Sequence, residues 1–202
     1  MNKPFLVEFT GTPEAGKTST IIALNEILKS EGLKIGIVQE AASRIYENLP
    51  RGTNNYSIWT FVTTVKEIVE QMNKNYDIVL VDRGVLDRTF WNLFSYNKKD
   101  LSLHEKQIRD EFMLSDFIPY KSDLLFAFKI PSDESIKRKG KEGSWVNKGN
   151  IDLYNYTLEQ FISNFKKLNV KTKLSIIDTY NVPKEEITQK VKKIILDNID
   201  KM

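Results

Sequence analysis

One short loop constrains the fold of this chain more than any other feature of its sequence. Residues 11–18 have the sequence GTPEAGKT and fit the pattern G-x-x-x-x-G-K-[ST]. An apolar run at 5–10 precedes the loop, and a stretch with apolar residues at helical spacing, 18–32, follows it. A strand, a glycine-rich turn and a helix in this order form a cradle for phosphate groups. The sequence therefore predicts a phosphate-binding loop between the first strand and the first helix.

The residues of this loop have separate tasks in binding a nucleotide. Glycine at positions 11 and 16 allows tight turns that bring backbone amides close to phosphate oxygens. Lys17 can reach the β- and γ-phosphates and take part in catalysis, and the hydroxyl of Thr18 can bind Mg²⁺. The predicted nucleotide-binding residues of the loop are Gly11, Thr12, Pro13, Glu14, Ala15, Gly16, Lys17, Thr18 and Ser19.

Alternating strands and helices predict the rest of the architecture. Further apolar runs typical of strands lie at 34–39, 77–82, 123–130 and 173–178. Segments with helical spacing lie at 57–74, 85–96, 102–117, 151–168 and 183–196. We therefore predict an α/β chain with the three-layer P-loop NTPase fold, in which helices cover both faces of a mainly parallel five-stranded sheet. The length of 202 residues predicts one domain, 1–202.

Composition and charge narrow the classes of partner. Thirty Lys and Arg residues against 27 Asp and Glu residues give a net charge of +3, so binding to nucleic acid is not expected. The chain has no cysteine, which excludes disulfides and thiolate metal sites. We expect no signal peptide, and no apolar run approaches the ~20 residues that cross a bilayer. These features predict a cytoplasmic protein without a membrane partner.

The strand at 77–82 ends in an acid that can complete a metal site. Asp82 follows an apolar run, and beside the phosphate loop it could hold Mg²⁺ directly or through water. Arg83 comes next, and its guanidinium fork suits the transferring phosphoryl group or an acceptor phosphate. A structural ion pair with an acid at the sheet edge is the alternative for Arg83. We predict that Thr18 and Asp82 bind the metal and that Asp82 and Arg83 act in catalysis.

A second short motif bears on the class of nucleotide-binding protein. Residues 97–100, NKKD, fit the N-K-x-D pattern with which GTPase switches bind guanine. The motif follows a predicted helix and not a late strand, so a solvated helix terminus is the favoured interpretation. The D-x-x-G signature of such switches is also absent, because arginine and glycine follow Asp82. These features favour a kinase over a switch, and ATP over GTP.

Three segments together resemble the P-loop nucleoside and nucleotide kinase group: TGTPEAGKTST, VQEAASRI and VLVDRGVLD. The likeness is strongest to the ribosylnicotinamide kinase domain and related small AAA-type P-loop ATP-binding proteins. Deoxyribonucleoside and thymidylate kinases are more distant. The likeness covers residues 5–90 well and the remainder only in the order of elements. It implies phosphoryl transfer from ATP, or another nucleoside triphosphate, with Mg²⁺, to a small-molecule acceptor.

The resemblance also implies roles for residues beyond the loop. Glu40, at the end of the second strand, takes the position of the base that accepts a proton from the acceptor hydroxyl. Asp82 is the alternative base. Arg44 would bind the acceptor or a phosphate, and Asp87 would face the acceptor pocket or cap its own helix.

The helix predicted at 57–74 carries a segment expected to contact the acceptor. Its sequence WTFVTT is similar to the deoxyribonucleoside kinase helix that binds the base, which makes Trp59 and Thr64 acceptor contacts. The family has glutamine at the position of Thr64, and threonine cannot make a two-point amide contact with a base. The aromatic residues of this helix fit a core position equally well. The sequence therefore leaves the acceptor unidentified.

A basic segment after the fourth strand is predicted to act as a lid, within about 131–150. Such a lid excludes water and brings positive charge to the phosphates, and Arg138 is its predicted phosphate contact and a catalytic residue. A solvated charged loop is the alternative. Asp178, after the last strand, is predicted to lie beside the adenine or to be a turn residue.

Two functions compete with transfer to a small acceptor. One is a nucleotide-hydrolysing switch or adaptor, and the other is a kinase for the end of a polynucleotide. A closed aromatic pocket would favour a small acceptor, an open basic groove a polynucleotide, and a flat apolar patch a partner protein. A homodimer is possible in each case.

Overall fold

Five parallel strands form the central sheet in the computed structural model of the chain, which describes residues 3–44, 49–50, 53–141, 143 and 146–199. The strands are β1 (Phe5–Gly11), β2 (Ile35–Val38), β3 (Ile78–Asp82), β4 (Leu124–Lys129) and β5 (Lys173–Asp178). Their order in the sheet is β2-β3-β1-β4-β5, and every neighbouring pair is parallel. The predicted five-stranded sheet is confirmed.

Helices follow or connect the strands. They are α1 (Lys17–Ser30), α2 (Asn54–Met72), α3 (Val85–Asn97), α4 (Leu103–Leu114), α5 (Ser132–Lys139), α6 (Lys148–Asn164) and α7 (Lys184–Ile199). Short 3₁₀ turns lie at Ala41–Ser43 and Phe165–Leu168. Among the described residues, no helix combines the length and apolar character needed to cross a membrane.

Side-chain caps set the starts of two helices. The backbone amide of Tyr56 donates to the Thr53 hydroxyl at 3.2 Å, so α2 begins at Asn54, three residues before the predicted start. The capping box expected at the start of α4 is present, because Ser102 and Glu105 exchange side-chain to backbone hydrogen bonds.

The charged segment after β4 is helical over Ser132–Lys139, where it forms α5, and is not a loop there. Acids occupy its first turn and bases its last turn, which complements the helix dipole. Gly140 ends the helix with a φ of 86°, a left-handed conformation that glycine adopts without strain. Within the lid segment predicted at 131–150, Glu142, Ser144 and Trp145 lie outside the described residues.

Helices cover both faces of the sheet, as predicted. On one face α1 and α7 pack against β1, β3 and β4 in a core of apolar side chains. On the other face α2, α3 and α6 pack against the same strands, with α4 outside them. All five strands run parallel, so their carboxyl ends lie at one edge, where ligands of such sheets bind. Gly11 and Asp82, at the ends of β1 and β3, lie at that edge.

Candidate active site

The phosphate loop joins β1 to α1 and is fixed against β4. The amide of Thr12 donates to the Phe128 carbonyl at 2.9 Å. A Cβ on Gly11 would lie 2.0 Å from the same carbonyl oxygen, so no side chain fits there. Gly16 precedes α1 with a φ of 91°, and this left-handed turn aims the first amides of the helix into the loop. The loop therefore has the backbone form needed to surround a phosphate.

Lys17 lies buried at the centre of the loop. Its Nζ donates to the carbonyls of Gly11 at 2.8 Å and Thr12 at 2.9 Å. Burial lowers the pKa of Lys17 to about 8, with a further lowering by Arg83 and opposing effects of neighbouring carboxylates. The ammonium group is thus held by two neutral acceptors, which a phosphate can replace.

Thr18 and Asp82 form the candidate metal site. The Thr18 hydroxyl donates to Asp82 Oδ2 at 2.5 Å. Asp82 Oδ1 is buried and has no hydrogen-bond partner among the described residues, so one carboxylate oxygen is left for a cation. No group of three or more acidic or imidazole side chains surrounds it in the described ranges. The pair therefore fits Mg²⁺, whose remaining positions phosphate oxygens and water would fill.

Arg83 is held by a network of partners on three elements. Its Nε lies 2.8 Å from Glu40 Oε1, and its Nη1 lies 3.1 Å from both Asp87 Oδ1 and the Tyr154 hydroxyl. The guanidinium also stacks 5.7 Å from the ring centre of Trp91. Arg83 adopts a φ of 63°, an unusual value outside glycine that this network fixes. The ion pairs expected under the structural alternative for Arg83 are present, and the side chain still lines the cleft.

Glu8 is a buried residue of this region that sequence reasoning missed. Its Oε1 accepts from the amides of Asp87 at 2.6 Å and Gly84 at 3.1 Å, and its Oε2 from Leu86 at 3.3 Å. Burial raises the pKa of Glu8 to about 7, although its backbone hydrogen bonds oppose the change. The available signal was an acid inside an otherwise apolar strand. Glu8 holds the start of α3 and so helps to place Arg83.

Two further polar contacts complete the support of the site. Thr10 donates to Asp87 Oδ1 at 2.5 Å, which orients that carboxylate. Tyr154 on α6 donates to the Gly11 carbonyl at 3.0 Å while it accepts from Arg83. Burial raises the pKa of the Tyr154 hydroxyl well above its usual range, so it remains a donor. Sequence reasoning missed Thr10 and Tyr154, and neither carries a local motif.

A cleft of about 1500 Å³ connects the phosphate loop with the predicted acceptor side. The predicted site residues that line it are Pro13, Glu14, Ala15, Gly16, Lys17, Thr18, Ser19, Glu40, Thr64, Arg83, Asp87 and Arg138. Gly11, Thr12 and Asp82 lie just beneath this lining, bonded to residues that form it. The structure thus brings the predicted nucleotide-binding residues of the loop and most of the predicted acceptor-binding residues together in one cleft.

Three predicted residues lie away from the cleft lining. Arg44 forms a two-point ion pair with Glu67 on α2, which occupies its guanidinium. The ring of Trp59 lies 6.2 Å from that of Tyr56 and does not face the cleft. Asp178 accepts from the amide of Tyr180 at 2.9 Å, the contact of a turn residue. These three side chains lie outside the cleft lining, and their predicted contacts with a ligand stay predictions.

Thr64 and Arg138 line the cleft with part of their bonding capacity used. The Thr64 hydroxyl donates to the carbonyl of Thr60 at 2.9 Å, so toward a ligand it can act only as an acceptor. Arg138 donates to the carbonyl of Thr179 at 2.9 Å and to that of Glu14 at 3.4 Å. Its helix α5 therefore rests directly on the phosphate loop.

The N-K-x-D segment forms a helix end. Asn97 is the last residue of α3, and its amide donates to Thr157 at 2.9 Å and Gln160 at 2.8 Å on α6. Lys98 and Asp100 pair with each other at 3.1 Å. The asparagine is thus used in packing α3 against α6, in agreement with the favoured interpretation.

Comparison with known proteins relates the chain to a family model, a similar sequence and a similar solved structure. A family described as AAA domain matches residues 6–120. The chain is 28% identical over 200 residues to a "Probable thymidylate kinase" of Sulfurisphaera tokodaii, covering 95% of this chain and 96% of that protein. The solved structure of a deoxyadenosine kinase from M. mycoides, with the products dCMP and dCDP bound, superposes with a TM-score of 0.70 at 13% identity, covering 96% and 100% of the two chains. Together these matches confirm the resemblance to the P-loop nucleoside and nucleotide kinase group.

Proposed function

From the premise that the chain belongs to the AAA domain family, we propose that it is a kinase. It transfers the γ-phosphoryl group of a nucleoside triphosphate to a small acceptor, which is a nucleoside or a nucleotide. The single observation that carries the proposal is the common cleft, which joins the phosphate loop to the network of Glu40, Arg83 and Asp87. The names of the two similar proteins, a probable thymidylate kinase and a deoxyadenosine kinase, support the same reaction class.

The donor triphosphate would bind along the phosphate loop. Lys17 would exchange its two carbonyl partners for β- and γ-phosphate oxygens, while the loop amides donate to the same groups. Mg²⁺, held by Thr18 and Asp82, would supply positive charge to those phosphates. Arg138 contacts the loop carbonyl of Glu14 and is placed to follow the loop when the nucleotide binds.

Glu40 is a better candidate than Asp82 for contact with the acceptor. Glu40 lines the cleft with a side chain that is 30% exposed, whereas Asp82 is 3% exposed and bonded to Thr18. A hydroxyl acceptor would give its proton to Glu40 as the new bond to phosphorus forms. Arg83, fixed by Glu40 and Asp87, would stabilise charge on the transferring group.

The lining of the cleft favours a small acceptor over the two competing functions. Tyr56, Trp91 and Phe94 contribute aromatic surface next to the acidic groups of Glu40 and Asp87. This lining suits a planar ring with polar substituents, whereas a polynucleotide end would need a continuous basic groove. We propose a cytoplasmic location. We also propose a homodimer in which a second copy covers the exposed apolar side chains Ile108 and Phe112 of α4 and Phe117 just after it. Sedimentation velocity measures that association.

A transfer assay with labelled γ-phosphate tests the proposal. Nucleosides, nucleoside monophosphates and related metabolites are offered as acceptors to the wild type, Glu40→Gln and Lys17→Met. We expect transfer to at least one acceptor, and a loss of roughly 100-fold or more in each variant because charge at the reacting group is lost. The proposal fails if the wild type shows only slow hydrolysis that Glu40→Gln leaves unchanged.

The pKa of Lys17 gives a pH test of donor binding. Because burial lowers that pKa to about 8, the ammonium is present below pH 8 and is lost as the pH rises through that value. We expect the affinity for a nucleoside triphosphate to fall above about pH 8, because the attraction of the ammonium group for phosphate is lost with its charge. Each 1.4 kcal/mol of binding free energy lost weakens the affinity roughly tenfold. Calorimetric titrations at pH 7 and pH 9 measure the change. In Lys17→Met the same pH interval should leave affinity nearly constant.

A further inference from the structure

Arg88 is a cleft residue that the proposed roles leave unused. It lies in the first turns of α3, five positions after Arg83, and its side chain lines the cleft. Its Nη2 donates to the Thr60 hydroxyl at 2.8 Å. No described residue forms an ion pair with it. Most of the donors on its guanidinium therefore have no carboxylate to meet.

The contrast with Arg83 shows how unusual this is. Arg83, just before α3, meets two carboxylates and a phenol, while Arg88, in the first turn of α3, meets one hydroxyl. Arg88 is partly buried, and this burial lowers its pKa although Asp87 acts in the opposite direction. A desolvated cation without a partner is costly, and ligand anions are the usual compensation at such positions.

Four other cations that line the cleft have contacts or roles of their own. Lys98 pairs with Asp100 at 3.1 Å, and Arg138 pairs with Glu134 at 2.9 Å. Arg109 donates to Asn54 at 3.2 Å in a solvent-exposed contact. Lys17 belongs to the donor loop. Arg88 is thus the guanidinium best placed to receive an anion on the acceptor side.

Arg88 lines the same cleft as Glu40, Arg83 and Asp87, so it lies on the side of the proposed reacting groups. The charges of Asp87, Arg83 and Glu40, together with the Tyr56 hydroxyl, all act on its guanidinium. The Thr60 hydroxyl fixes one nitrogen and leaves the remaining edge of the fork for a ligand. A planar fork beside a transfer site matches the oxygens of a phosphate group.

We propose that Arg88 binds the phosphate group of an acceptor that is already a phosphate monoester, of the nucleoside 5′-monophosphate class. This inference rests on the proposed kinase function and narrows its acceptor. Arg83 then serves the transferring phosphoryl group, and Arg88 serves the acceptor phosphate, so that the two guanidinium groups divide the two phosphates between them.

The chemistry of such a transfer assigns Glu40 a different role. An oxygen of the acceptor phosphate forms a bond to the γ-phosphorus, while the bond from that phosphorus to the β–γ bridging oxygen breaks. The donor leaves as a nucleoside diphosphate and the acceptor becomes a diphosphate. No O–H bond breaks when the acceptor enters as a dianion, so no base is needed. Glu40 then acts as a positioning residue that holds Arg83 Nε at 2.8 Å.

Binding measured apart from turnover tests the role of Arg88. The melting temperature is measured for the wild type, Arg88→Gln, Arg88→Lys and the control Lys66→Gln. Each is heated with a nucleoside 5′-monophosphate, with the matching nucleoside, or with a nucleoside triphosphate alone. Lys66→Gln removes one exposed positive charge on α2, at a residue that does not line the cleft. KM for the monophosphate is then measured by γ-phosphate transfer.

We expect the monophosphate to raise the melting temperature of the wild type and control, and the nucleoside to do so much less. In Arg88→Gln that rise should disappear and KM should increase roughly 10- to 100-fold, the usual effect of losing a charged hydrogen bond. Arg88→Lys, which keeps the charge without the fork, should lie between. The rise with the triphosphate should persist in every variant, which shows that the donor side is folded.

Several results would overturn the inference. One is an equal rise with nucleoside and monophosphate in the wild type, and another is an unchanged monophosphate response in both Arg88 variants. Absence of transfer to any acceptor, with an Arg88-dependent response to monophosphate intact, would instead refute the kinase function and leave the binding site standing. If Glu40 is a base after all, Glu40→Gln will remove the acidic limb of the pH–rate profile. If it positions Arg83, the limb will remain at a lower rate.

Discussion

The two faces of β1 carry different kinds of side chain in the half of the strand nearest the phosphate loop. Phe5, Val7 and Phe9 project to one face and pack against α1 and α7 in a core of apolar groups. Glu8 and Thr10 project to the other face, where they bind the segment that follows β3. Alternate residues of a single strand thus serve stability on one side and the site on the other.

Within β1, the free-energy cost of burying a charged group is confined to the polar face. Burying a carboxylate costs free energy unless hydrogen bonds replace its water, and Glu8 recovers part of that cost from three backbone amides. The apolar face has no comparable penalty, since its side chains need only to pack. Substitutions on the apolar face should therefore change stability at every pH, and those on the polar face should change activity or the pH dependence of stability.

The largest effect is expected from Leu24→Ala on α1, in the apolar face. Leu24 is fully buried, and its truncation leaves a cavity, so the free energy of unfolding should fall by roughly 2–5 kcal/mol. Urea denaturation measures that loss. Below the melting temperature the rate of phosphoryl transfer should equal that of the wild type. A proportional loss of rate in folded protein would refute the separation of the two faces.

Glu8→Gln tests the cost of the polar face. The pKa of Glu8 is about 7 in the folded chain against 4.5 as the ordinary value, so the wild type loses stability as the pH rises from 4.5 to 7. A pKa difference of about 2.5 corresponds to roughly 3 kcal/mol. Glu8→Gln should be less stable at low pH, and this particular pH dependence should vanish. Denaturation at pH 5 and pH 8 measures it, and parallel curves for the two proteins would contradict the assignment.

Asp87→Ala tests the functional role of the polar face. It removes one ion-pair partner of Arg83 and the acceptor of the Thr10 hydroxyl, so the guanidinium loses its fixed position. The rate of phosphoryl transfer should fall by roughly 100-fold, the usual cost of misplacing a group at a reacting centre. Steady-state kinetics measure the change, with Leu24→Ala as the matched core control. Asp87→Asn, which keeps the hydrogen bond from Thr10, should lose less.

The smallest effect is expected at the edge of the apolar face. Lys192 on α7 forms an ion pair with Glu31 at the end of α1, in a partly exposed position. Such pairs contribute little, so Lys192→Ala should change the free energy of unfolding by less than about 1 kcal/mol. Urea denaturation at low and high salt checks this. A loss comparable to that of Leu24→Ala would mean that the apolar face depends on charge.

The sheet and the phosphate loop were predictable because their signals are local. Buried parallel strands are short apolar runs bounded by polar turns, and β3 at Ile78–Asp82 lies within the predicted 77–82. The loop needs glycine where the chain turns left-handed or approaches another backbone, as at Gly11 and Gly16. Residues within one turn of each other determine these features.

The rest of the site depends on contacts between distant parts of the chain. Glu8 bonds to residues 76 to 79 positions later, and Tyr154 reaches Gly11 across 143 positions. No local pattern distinguishes such residues from ordinary strand or helix positions. For Arg44 the local motif predicted a contact with the acceptor or a phosphate. The motif could not show that Glu67, a residue of α2, forms an ion pair with its guanidinium. The roles of the individual site residues stay predictions until the variants are measured.

Gly84 has no side chain in the place that Glu8 occupies. A Cβ on Gly84 would lie 2.6 Å from the carboxyl carbon of Glu8, so the two residues share one small volume. Because the two positions share this volume, a larger residue at position 84 fits only after the side chain at position 8 has become shorter. Among descendants of this protein the two positions should therefore change as a pair and in a fixed order, with the strand residue first.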